Sequence, residues 1–127
     1  MKKTLLLEAE MNFNDGYFLN NFHKARFKDM ARRNGRVYQA PGYLVSAYIF
    51  SSTPELMART EPCMNDSAID FAKILNGGLG SEEKILVQFA ANFYDPSRYE
   101  SPSVSALINE LSGESYTVML NIFKMFN

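Results

Sequence analysis

A helix running from Ser81 to Tyr94 constrains this chain more than any other stretch. Ser81 can accept a hydrogen bond from an orphan N–H of the first turn, Glu82 and Glu83 sit where the helix dipole favours negative charge, and Asp95-Pro96 ends the run. At about 100° per residue, Ile85, Leu86, Val87, Phe89, Ala90, Ala91, Phe93 and Tyr94 cover most of the circumference. Lys84, Gln88 and Asn92 remain as a narrow polar wedge at i, i+4 and i+8, either an exposed strip or a buried polar seam. A helix apolar on nearly all sides must be covered on several of them. The expectation is therefore an all-α domain, a single-domain bundle of six to seven short helices around a central hydrophobic helix at about 81–95.

The flanking sequence supplies those helices. Residues 1–12 are expected as a leader or short helix and 13–127 as a single helical domain. From Asp15 to Asn34, Phe18, Leu19, Phe22, Phe27 and Met30 recur at helical spacing, and Asn34-Gly35 supplies a stop. Pro41 suits a first helical position before Tyr43, Leu44, Ala47, Tyr48, Ile49 and Phe50, a content β-branched and aromatic enough to leave a strand open. Thr53-Pro54-Glu55 restarts a helix, and Asp66 or Ser67 can cap a short piece carrying Ile69, Ala72, Ile74 and Leu75. Val104, Leu107, Ile108 and Leu111 form one stripe, and Tyr116, Met119, Leu120, Phe123 and Phe126 predict a broad apolar face on the last helix. That face is apolar enough to serve a homodimer as well as the core.

Composition excludes several classes. A formal net charge of −1 argues against global electrostatic capture of DNA or RNA, though not against a local basic patch. The single cysteine, Cys63, forbids an internal disulfide, and with the single histidine, His23, it cannot make a four-ligand zinc site; a lone thiol is expected in a reducing cytoplasm. Met1-Lys-Lys-Thr-Leu-Leu-Leu begins like a signal peptide, but Glu8 and Glu10 end the apolar run too early, and no stretch reads as a membrane span.

His23-x-x-x-Phe27, Tyr48-Ile49-Phe50 before Thr53-Pro54-Glu55-Leu56, and Gly80-Ser81-Glu82-Glu83-Lys84 with Leu86, Ala90, Asn92 and Tyr94 in register together resemble a family of short proteins, domain of unknown function 6075. The resemblance runs from about Phe18 onward and departs from the family pattern before Met11 and in the 95–103 loop. It implies a small helical fold and an origin in Gram-positive bacteria, their mobile elements and phages, and it brings no activity.

The residues that could carry chemistry are few. His23 has no second histidine near it, and a packed or capping role is favoured over general-base catalysis. Arg26 falls in the middle of the apolar face of its helix, where a guanidinium snorkels, pairs, or reaches a helix C-terminus. Lys24, Lys28 and Arg32 form a basic row extended by Arg33 and Arg36; a solvated face is favoured over a nucleic-acid footprint. Asn76-Gly77-Gly78-Leu79-Gly80 lacks the lysine of a phosphate loop. Tyr38, Tyr43, Arg98 and Tyr99 carry the side-chain types enriched at interface hot spots and are the candidate partner contacts. The expected function is a non-enzymatic, cytoplasmic protein-binding module that uses no metal or cofactor and occupies a surface of a host protein, in its sharpest form an anti-CRISPR-like inhibitor of a host defence protein. The alternative is a small nucleic-acid-binding regulator using Lys24, Lys28, Arg32, Arg33 and Arg36.

Overall fold

The computed structural model describes residues 15–126 and is all-α, with seven α-helices and no strand among the described residues. The expected leader at 1–12 lies outside the described residues. A 3-10 turn, Asp15–Tyr17, leads into α1, Asn21–Arg33. This helix begins later than the spacing predicts, because Asn20 caps it: its Oδ1 accepts the His23 N–H at 2.8 Å. Phe18 is thereby buried from outside the helix, while Phe22 turns to solvent at 75% exposure. A 3-10 turn, Gly35–Tyr38, then joins α1 to α2, Pro41–Phe50, which resolves the helix-or-strand alternative.

Every residue of α2 from Tyr43 to Phe50 is buried. The expected central helix, α5 at Ser81–Tyr94, shares the middle of the domain with it, burying Ile85, Leu86, Val87, Ala90 and Ala91. The two approach closely where Gly42 of α2 meets the backbone of Tyr94 on α5: a Cβ placed on Gly42 would lie 3.0 Å from the Tyr94 Cα.

Local capping sets the remaining boundaries. Thr53 Oγ1 accepts the Leu56 N–H at 3.1 Å and starts α3, Pro54–Thr60, as its sequence predicts. Neither Asp66 nor Ser67 caps α4, Phe71–Leu75; Asp70 does, accepting the Lys73 N–H at 3.1 Å. The Asn65 side chain instead takes the N–H groups of Ser67 and Ala68 and closes a turn there. Gly80, not Ser81, is the capping position of α5, with the Glu83 carboxylate accepting its N–H at 3.0 Å. Ser103 caps α6, Val104–Asn109, and α7 follows at Gly113–Met125.

The polar wedge of α5 is a seam that fastens the loop after it. Asn92 Nδ2 donates to the Tyr99 carbonyl at 2.8 Å and Gln88 Nε2 to the Glu100 carbonyl at 3.3 Å, while Lys84 stays exposed. Asn92→Ala is expected to lower stability by about 1 kcal/mol, read as a shifted urea midpoint at constant slope. An unchanged midpoint would mean the loop holds without the seam.

Candidate functional site

α7 carries apolar residues on two stripes, and the core uses only one. Val118, Met119, Ile122 and Met125 are buried, together with Asn121. The broad face expected from Tyr116, Met119, Leu120, Phe123 and Phe126 is therefore corrected: of these only Met119 is buried, and Leu120 and Phe123 remain 42% and 55% exposed. Against them lies the outer side of α5, where Phe93 is 37% exposed. The rings form one continuous group, with centroids 6.4 Å apart for Phe89 and Phe93, 6.0 Å for Phe89 and Phe123, and 5.3 Å for Phe93 and Phe126. The α6 stripe is corrected likewise, since Val104 and Ile108 are exposed and only Leu111 is buried. Among the described residues, five of the six exposed large hydrophobic side chains, Phe93, Val104, Ile108, Leu120 and Phe123, thus lie on α5, α6 and α7. Scattered apolar side chains on a surface are ordinary, whereas contiguous ones mark contact sites.

The tyrosines and arginine expected to contact a partner are placed differently. Tyr43 is 2% exposed, its hydroxyl donating to the Asn65 carbonyl at 2.9 Å, so it is a core residue and cannot present a contact surface. Burial raises its pKa. Tyr38 is half-buried, edge-on to Phe27 at 5.9 Å, and Tyr99 is half-buried against Phe71 at 5.8 Å. Only Arg98 is exposed, lying over the Tyr99 ring at 6.0 Å. Tyr43 and Tyr99 meet through Tyr94 and Phe71, while Tyr38 packs on Phe27.

The basic row is partly neutralised from within its own helix. Asp29 accepts from Arg32 and Arg33, each at 2.6 Å, and Arg33 also pairs with Glu61. Arg36 lies 5.1 Å over the Tyr43 ring and donates to the Asp66 carbonyl at 3.2 Å. Asp29 stands three and four residues before the two arginines, a spacing readable in the sequence.

His23 and Arg26 have structural work at the C-terminus of α2. His23 is fully buried, Nε2 donating to the Tyr48 carbonyl at 2.9 Å and Nδ1 accepting the Leu19 N–H at 3.1 Å. Burial is the main reason its pKa falls to about 4, with the Arg26 cation adding to the effect and the Tyr48 bond opposing it. Arg26 Nε donates to the Ser51 carbonyl at 2.7 Å and Nη2 to the Ser52 carbonyl at 3.0 Å. This is the helix-C-terminus partner that its position predicts. Neither ring nitrogen of His23 is presented to a substrate.

Among the described residues, two depressions stand out. One of about 220 Å³ is lined by Leu19, Leu56, Leu86 and Val118 together with the carboxylates of Glu82, Glu83 and Glu114. Two of those carboxylates are engaged with backbone, Glu83 with Gly80 and Glu82 with the Ser112 N–H at 2.9 Å. The other, about 460 Å³ and shallow, lies around Arg33, Glu61, Met64 and Asp66. Among the described residues no cluster of three or more His, Cys, Asp or Glu side chains could hold a metal ion, and no helix is long and apolar enough to cross a membrane. Comparisons with protein-family models, curated proteins and solved structures find no match to this chain.

Proposed function

We propose that the protein is a non-enzymatic protein-binding module whose contact face is the aromatic surface of α5 and α7. The observation that carries this reading is the unbroken ring contact from Phe93 through Phe89 to Phe123, with Phe93, Leu120 and Phe123 open to solvent. Desolvated aromatic side chains dominate the energetics of such contacts. The complementary partner is a protein presenting an apolar helix or strand. The narrower form, an inhibitor that occludes a host defence protein, draws on the chain's small size, a sequence that advertises no catalytic set, the Tyr/Arg loops, and a resemblance that implies an origin in mobile elements and phages. Nucleic-acid binding through Lys24, Lys28, Arg32, Arg33 and Arg36 ranks second, because Asp29 and Glu61 already pair with two of the arginines.

The test is affinity capture from the native host with and without nuclease, comparing the wild-type chain with the double variant Phe93→Asp/Phe123→Asp. A partner retained after nuclease, retained by Arg98→Ala and bound at least about 30-fold more weakly by the double variant supports the reading. Equal capture by wild type and double variant, or capture abolished by nuclease, overturns it. Concentration-dependent mass in sedimentation, lost in the double variant, would identify the partner as a second copy.

A further inference from the structure

Residues 15–20 cross the junction of α1, α2 and α7 as a strap whose main chain is fastened by one side chain from each helix. His23 Nδ1 accepts the Leu19 N–H at 3.1 Å, the Tyr48 hydroxyl donates to the Tyr17 carbonyl, and Asn121 Nδ2 donates to that same carbonyl at 3.1 Å. A phenol and an amide keep these roles at any moderate pH; an imidazole does not. Because Nε2 donates to the Tyr48 carbonyl at 2.9 Å, Nδ1 must be the bare nitrogen, and only the neutral ring serves both bonds. A proton on Nδ1 would face the Leu19 N–H donor to donor, in a site closed to solvent. Phe18 closes that site, packing edge-on to the imidazole at 5.2 Å and against Phe27 and Tyr48 at 5.5 and 5.9 Å.

We propose that His23 is a proton-operated latch: the neutral ring holds the strap on α2 and α7, and protonation releases it, uncovering Phe27 and Tyr48 while the remaining core stays folded. The groups around the ring bias it in one direction. Arg26 on α1 opposes protonation by its charge, the buried Tyr48 phenol on α2 stays protonated, the strap contributes the Tyr17 carbonyl, and α7 offers Asn121, which does not titrate. The ring holds its proton only below about 4 with the strap closed and near its usual 6.5 with the strap open, so protons bind the open state and acid drives opening. The closing constant should fall about 30-fold by pH 5 and approach a limit of about 300-fold below pH 4.

The experiment is amide hydrogen exchange by NMR on the full chain from pH 7 to 4, expressed as protection factors, for wild type and His23→Gln. The glutamine amide can accept from Leu19 and donate to Tyr48 at every pH. The expected result is protection at Leu19 falling about 30-fold by pH 5 in wild type while Val87 and Ala90 keep theirs, and a flat Leu19 profile in the variant. Leu19 protection constant to pH 5, or lost together with Val87 at every pH, overturns the proposal. Ring-nitrogen shifts of His23 in the wild type give a test independent of the variant. Ring protonation must track opening at Leu19, and a ring still neutral in the opened state refutes the latch.

Discussion

Gly42→Val is expected to lower stability by about 3 kcal/mol and Gly42→Ala by about 1–2 kcal/mol, making this small residue one of the least replaceable in the fold. A Cβ at Gly42 would lie 3.0 Å from the Tyr94 Cα and 3.3 Å from its Cδ1. The nearest obstacle is backbone, so relief requires moving α2 away from α5, two helices whose Val45, Ala47, Val87, Ala90 and Ala91 are all buried in the core. Alanine has a higher helix propensity than glycine by up to about 1 kcal/mol, which offsets part of the steric loss; valine lacks that compensation and adds branching. Gly35 is the control, because nothing lies within 4 Å of a Cβ placed there. Gly35→Ala should change stability by no more than about 0.5 kcal/mol. Urea unfolding of the three variants checks the set, and equal midpoints for Gly42→Ala and Gly35→Ala would show that the two helices do not meet as closely as the structure has them.

What could be read in advance follows from how local each determinant is. Thr53-Pro54-Glu55 starts a helix by contacts within its own first turn, so the sequence suffices to place α3. The spacing starts the first helix at Asp15, and seeing that Asn20 caps it instead requires knowing that Phe18 is drawn into the core with His23 and Tyr48. The aromatic face was hidden for a related reason. α7 has two apolar stripes one position apart, and periodicity measures how apolar a face is, not which neighbour covers it. Tyr43 misled because tyrosine is amphipathic: its enrichment at interfaces and its use as a core ring with one hydrogen bond arise from the same chemistry. Arg26 was legible, since a guanidinium in the middle of an apolar face has few stable destinations.

Arg26→Met is expected to destabilise the domain by about 3 kcal/mol, and Arg26→Lys to recover only part of that. α2 ends inside the protein, where the carbonyls of its last turn cannot turn to water. The Ser51 and Ser52 hydroxyls take the carbonyls of Ala47 and Ile49, and His23 takes that of Tyr48. The carbonyls of Ser51 and Ser52 themselves fall to the Arg26 guanidinium, through two charge-assisted bonds at the negative end of the helix dipole. Methionine keeps the aliphatic stem and leaves both acceptors unpaired; lysine restores the charge but not the two-pronged fit. The same substitution reaches His23. Because the Arg26 cation helps to depress the imidazole pKa, its removal moves that pKa upward, toward 6.5. The neutral ring's stabilising contribution is present above the unfolded pKa and lost as the pH falls through the folded one, so in Arg26→Met the loss is complete nearer neutrality and smaller in total. Denaturant unfolding at pH 7, 6, 5 and 4 reads both effects: a lower curve for Arg26→Met at pH 7, and a shallower fall from there to pH 4 than in wild type. Parallel curves for the two proteins would place the guanidinium too far from the imidazole to act on it, and would leave burial as the cause of the shift.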